Sequence, residues 1–136
     1  MTQVQYQGSC LCSGVKYEIY EKFSNIIQCH CQKCRKATGT AFATNAPVAK
    51  SAFKFIQGEE LLNSFQSSEM STRYFCGQCG SHVYAVRKTD PELYRVRLGL
   101  LDNDVDTPLG PHVFVGSKAN WDEILDDRPQ FEEFPQ

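Results

Sequence analysis

The 136-residue chain holds seven cysteines, all in three short clusters: Cys10–Cys12, Cys29–Cys34 and Cys76–Cys79. Cysteines placed for packing scatter along a chain, whereas thiols gathered at such spacings suit a metal. An odd number cannot all pair as disulfides, and a reducing compartment disfavours such pairing. Cys76-Gly77-Gln78-Cys79-Gly80 is a zinc-knuckle pattern. Its two thiolates can reach one ion across a tight turn, and its glycines tolerate positive φ and let backbone amides point at sulfur. Cys10-Leu11-Cys12 is one residue shorter, but on extended chain its two thiols project to one face. Joined, the two pairs would make a closed four-thiolate site of the structural kind. Closing the chain between Cys12 and Cys76 costs roughly 4 kcal/mol, against about 10–16 kcal/mol returned by structural zinc in small domains.

Cys29-His30-Cys31-Gln32-Lys33-Cys34 supplies three more thiolates. Three protein ligands and one exchangeable position is the usual catalytic arrangement of zinc. Such a site would accept a fourth sulfur from a substrate and hold it as thiolate at neutral pH. Lys33, Arg35 and Lys36 make the segment basic, which suits an acidic thiol or simply a solvated face. The competing arrangement is a second closed site completed by His30, His82 or His112, although His30, between two ligating cysteines, is expected to face away from their ion. A different pairing, Cys31 and Cys34 with Cys76 and Cys79, would give a zinc-ribbon-like site. It leaves Cys10, Cys12 and Cys29 without a role, so the four-plus-three division is preferred.

The elements that must carry these thiols read as strands. Val15-Lys16-Tyr17-Glu18-Ile19 alternates apolar residues with charges, as on a half-buried strand. Further extended segments are Ile26–Cys29, Ala41–Val48, Phe53–Ile56, Arg73–Cys76, His82–Val86, Tyr94–Leu98 and His112–Val115. Short helical turns are predicted at Gln32–Thr38 and Asn120–Leu125, and no helix-period stretch of a dozen residues stands out. The expected architecture is a single all-β domain over 1–136, its connections fixed by metal. Trp121, Phe131 and Phe134 in the tail are expected to pack onto the sheet.

Hydrophobic residues make up 41% of the chain and charged residues 22%, enough for an ordinary core. The net charge of −2 argues against a general nucleic-acid binder, which would carry a basic stripe. Met1–Ser9 lacks the features of a secretory leader, and no apolar run approaches the ~20 residues of a membrane span. A cytoplasmic location is the expectation. Exposed strand edges would allow a homodimer.

Taken together, these segments resemble the glutathione-dependent formaldehyde-activating enzyme family, also named with centromere protein V. The resemblance is carried by Gly8-Ser9-Cys10-Leu11-Cys12 with Val15-Lys16-Tyr17-Glu18, by Cys29 to Lys36, by Phe75-Cys76-Gly77-Gln78-Cys79-Gly80-Ser81, by Pro111 to Trp121, and by Pro129-Gln130-Phe131. It implies an Mss4-like β fold and two zinc ions, one on Cys10, Cys12, Cys76 and Cys79, the other on Cys29, Cys31 and Cys34. It also implies carbon–sulfur lyase chemistry on S-hydroxymethylglutathione, the adduct of glutathione and formaldehyde. Arg35 and Lys118 are the residues expected to meet the carboxylates of glutathione. Ser13 departs from the family, where glycine often follows the second cysteine; Gly14 is expected to absorb the turn. The competing function is a zinc-stabilised binding module in which both ions are structural.

Overall fold

The computed structural model describes residues 3–134. Strands β1 (Tyr6–Ser9), β2 (Lys16–Ile19) and β5 (Phe53–Gln57) form an antiparallel sheet in the order β1-β2-β5. A seven-stranded sheet contains β3 (Ile27–Cys29), β4 (Ala43–Ala49), β6 (Leu62–Gln66), β7 (Ser71–Cys76), β8 (His82–Arg87), β9 (Asp90–Arg97) and β10 (His112–Val113). Its order is β10-β3-β4-β9-β8-β7-β6, antiparallel throughout except for the parallel β10–β3 pair. The expected Mss4-like, mainly β architecture holds.

Alternation builds the core. Tyr6, Tyr17, Ile19 and Phe53 of the smaller sheet are buried in one cluster with Ala46, Val48, Tyr84 and Val96 of the larger. Tyr17 stacks on Phe53 at 4.6 Å, and the Phe53 ring meets Tyr84 edge-on at 5.5 Å, joining the two sheets. Each large apolar side chain buried this way contributes about 1.5–3 kcal/mol. Because strand side chains alternate, the residues between these face the other way. Tyr74, Tyr84, Val86, Tyr94 and Val96 pack into the core, whereas Arg73, Ala85, Arg87, Arg95 and Arg97 line the opposite face of the large sheet. Register sets Arg73 beside Ala85, Ala85 beside Arg95, and Arg97 beside Asn45.

The one α-helix among the described residues, α1 (Gln32–Thr38), has the predicted bounds. Cys31 caps it, its Sγ accepting from the Cys34 N–H at 3.3 Å. Gly39 ends it in the left-handed region at φ 72°, where its N–H donates to the Arg35 carbonyl. At two turns it could not persist alone, and Cys34 is its buried anchor.

Four expectations need correction. β1 and β6 are strands the alternation did not predict. Asn120–Leu125 forms a turn, with the Asp122 N–H donating to the Ala119 carbonyl at 3.2 Å, rather than a helix. Trp121 is 67% exposed, because Ala119 takes the buried position of that turn. Ser13 itself carries the positive φ of 64° after Cys12, not Gly14. Of the tail aromatics, Phe131 packs against the Cys29–Cys34–Val113 cluster and Phe134 against Phe114. No helix among the described residues is long and apolar enough to cross a membrane.

Candidate functional site

The Cys10, Cys12, Cys76 and Cys79 sulfurs lie within 4.8 Å of one another. Cys10 follows β1, Cys12 sits in the next turn, Cys76 ends β7 and Cys79 closes the turn before β8. The Cys10–Cys12 and Cys12–Cys76 sulfurs are 3.6 and 3.8 Å apart. A tetrahedron of thiolates at ~2.3 Å from zinc has edges of about 3.8 Å, so the donor set and its spacing fit that ion. Backbone N–H groups of Val15 and Gln78 point at the Cys10 and Cys76 sulfurs. The Ser81 hydroxyl, 3.3 Å from the Cys79 sulfur, draws that thiol down to about 5.

The second set comprises Cys29 at the end of β3, Cys31 at the helix cap and Cys34 inside α1, again with sulfurs within 4.8 Å of one another. Hydrogen bonds from the Cys29 and Cys34 thiols, then the Cys34 N–H and the Arg73 charge, hold Cys31 far below the usual thiol range. Among the described residues, no histidine or carboxylate joins this triad. His30 is fully buried and turned toward β10: its Nε2 lies 2.8 Å from Nδ1 of His112, whose Nε2 is 3.0 Å from Asp126. The Asp126 carboxylate accepts from the Nε2–H of His112, which leaves Nδ1 of His112 to accept from the Nε2–H of His30. Burial, then the neighbouring His112, lowers the His30 pKa. His82 lies away from the triad, in a shallow groove with Phe65 and Phe75.

The triad opens on a cavity of about 440 Å³ that also reaches Arg73, Arg87, Arg95 and Arg97. Arg73 and Arg97 are buried, at 8% and 6% exposure. The Arg73 guanidinium nitrogens lie 3.8 and 3.9 Å from the Cys34 sulfur, and Arg97 donates to the Asn45 side-chain oxygen. Nε of Arg73, Nε of Arg97 and one terminal nitrogen of Arg95 are buried without a protein partner. Asp90, 3.6 Å from Arg95, is the one carboxylate paired with these arginines among the described residues. Burial lowers Arg97 to about 10, and burial with the Arg87 charge lowers Arg95; Arg97 therefore remains cationic at neutral pH. Desolvated guanidiniums with unspent donors form a receptor for carboxylates.

Neither Arg35 nor Lys118 lines this cavity. The Lys118 ammonium is spent on the carbonyls of Ala119 and Asp122, at 3.2 and 2.6 Å, and the charges of both residues bear on His30 instead. The four arginines come from β7, β8 and β9, at least 39 positions beyond the triad's last cysteine. The one signal is parity on β9, where Arg95 and Arg97 alternate with the core residues Tyr94 and Val96 and so face away from the core together.

Residues 5–117 match the model of a family described as "Glutathione-dependent formaldehyde-activating enzyme". An uncharacterized lyase of Schizosaccharomyces pombe is 26% identical over 80 residues, which cover 59% of this chain and 56% of that protein. The crystal structure of a Rhodobacter sphaeroides protein superposes with a TM-score of 0.61 at 26% identity, covering 74% of this chain and 91% of its own.

Proposed function

We propose a function from one premise: the chain belongs to the glutathione-dependent formaldehyde-activating enzyme family. It is a lyase-type enzyme that makes and breaks the carbon–sulfur bond between a small acidic thiol and an aldehyde, with glutathione and formaldehyde as the first pair to test. The observation that carries this reading is a sulfur triad opening on a cavity walled by guanidiniums with unspent donors. The lyase name of the yeast relative supports the reaction class.

Cys29, Cys31 and Cys34 would hold one zinc, and Cys10, Cys12, Cys76 and Cys79 a second, structural one. At the triad, bound zinc supplies a fourth position that keeps an incoming thiol deprotonated at neutral pH. The protein's own residues do the rest. Arg73 and Arg97, beside the triad, offset its accumulated negative charge and present donors to the substrate's carboxylates. Arg87 and Arg95 extend that field toward the cavity mouth, raising the local concentration of an acidic thiol. The His30–His112–Asp126 chain anchors the cysteine segment to β10 from behind, fixing the backbone that presents Cys29 and Cys31.

Elemental analysis should find two zincs per chain, and exchange NMR should show glutathione and formaldehyde interconverting with their adduct at least tenfold faster than without protein. One zinc per chain, or no acceleration with formaldehyde or larger aldehydes, would sink this reading and favour a scaffold.

A further inference from the structure

The family match ends at residue 117, yet one wall of the thiol cavity comes from beyond it. The tail runs alongside β10 and the residues after it. The His112 N–H donates to the Pro129 carbonyl, the Phe131 N–H to His112, the Val115 N–H to Phe131 and the Phe114 N–H to Glu133. These bonds deliver Phe134 to the cavity, where its ring meets Phe114 edge-on at 4.9 Å. Phe114 itself sits at φ 57°, ψ 38°. A bulky residue seldom takes that left-handed conformation unless its surroundings impose it, and here the tail holds its N–H.

The Arg87 guanidinium lies 4.5 Å from the centre of the Phe134 ring. Among the described residues Arg87 makes no ion pair; Asp90 pairs with Arg95 instead. A guanidinium over an aromatic face is held in place while its edge donors stay free. That is the arrangement a carboxylate-binding arginine needs, since the ring neutralises none of its charge.

We propose that Phe134 is a positioning residue of the thiol site: its ring face holds Arg87 at the cavity wall, where Arg87 receives a carboxylate of the thiol. This rests on reading the cavity as the thiol site. It makes the tail beyond residue 117 a determinant of which thiol this chain accepts.

The test is calorimetric binding of S-methylglutathione to the zinc-replete full chain. This thioether keeps both carboxylates of glutathione but has no thiol proton to lose, so binding reports carboxylate recognition apart from turnover. Phe134→Leu keeps apolar bulk but removes the ring face, and should weaken binding roughly 3- to 10-fold. Phe134→Tyr should bind within twofold of the unaltered chain. In an Arg87→Gln background, Phe134→Leu should change affinity less than twofold. Zinc content and melting temperature are read for every variant, and Phe134→Met replaces Phe134→Leu if leucine loosens the tail. Unaltered affinity in Phe134→Leu, or the same loss with and without Arg87, overturns the positioning role while the thiol-site reading stands. Failure of the unaltered chain to bind either glutathione or S-methylglutathione overturns both.

Discussion

Serine substitutions at Cys31 and Cys76 should have sharply different consequences. Cys31 is half-buried, and its sulfur serves the fold as the cap of α1, accepting from the Cys34 N–H. Serine is among the preferred helix caps, so exchanging the atom should cost a fraction of the ~1 kcal/mol a cap is worth. The three thiols of the triad lie within six residues of sequence, and a bound ion there restrains little chain. Cys76 is fully buried in the main core, and its sulfur meets that of Cys12, 64 positions away in sequence. The ion that ties these two segments returns about 10–16 kcal/mol in small metal-folded domains, and a buried hydroxyl without a partner costs a further ~1–3 kcal/mol. Losing even half of that return is comparable with the roughly 5–15 kcal/mol that stabilises a whole domain. Cys31→Ser should therefore lose one of two zincs while its melting temperature falls by about 5 °C or less. Cys76→Ser should melt some 15–30 °C lower or show no cooperative transition at all. The measurements are elemental analysis and circular dichroism melting on the same samples. Equal destabilisation by the two substitutions would refute the division into a structural site and an open one.

Arg97→Gln should weaken glutathione binding roughly 10- to 100-fold, the scale of a hydrogen bond between charged groups, while affinity for the glutathione diester stays put; equal losses for acid and ester would contradict carboxylate recognition. Burial, then the charges of Arg97 and Arg73, holds His82 below its ordinary pKa of 6.5. The unfolded chain therefore binds a proton near pH 6.5 that the folded chain refuses, and stability falls as pH drops through that value, levelling off below the folded pKa. Urea midpoints of His82→Gln should gain on those of the unaltered protein between pH 7.5 and 5, and a constant gap would contradict this. Gly58 sits at φ +84° with the Gly14 carbonyl 2.1 Å from where a Cβ would lie. Gly58→Ala should thus cost roughly 2–4 kcal/mol, and a wild-type melting temperature would show that the turn yields freely.

The cysteine sets were legible because ligand spacing is local: the Cys29–Cys34 segment and the knuckle each announce themselves within a few residues. The helix bounds could be read for the same reason. What escaped depends on distant partners. Gly8 in β1 hides the alternation because its missing side chain makes room for the Tyr17 ring, which a Cβ would meet at 2.2 Å. In β6 no residue is fully buried; it is an edge strand held by β7 alone, so it carries no apolar period to find. Arg73, Arg87, Arg95 and Arg97 each look like solvated strand charges until register places them on one face. The placement of Arg35 and Lys118 depends on how α1 and the turn after β10 pack, which local sequence does not specify; both charges bear on His30. The exposure of Trp121 follows from which residue of one tight turn points inward, a choice that side-chain hydrophobicity does not determine.

The parallel pairing of β10 with β3 has a consequence for how the chain is made. The triad's residues leave the ribosome well before the strand behind them, His112–Val113, and the tail that straps it. A nascent or prematurely terminated chain ending before residue 112 would carry the three thiols with no backing strand, open to oxidants and stray soft metals. Synthesis of His112–Val113, rather than of the cysteines, is the step at which the triad gains its backing.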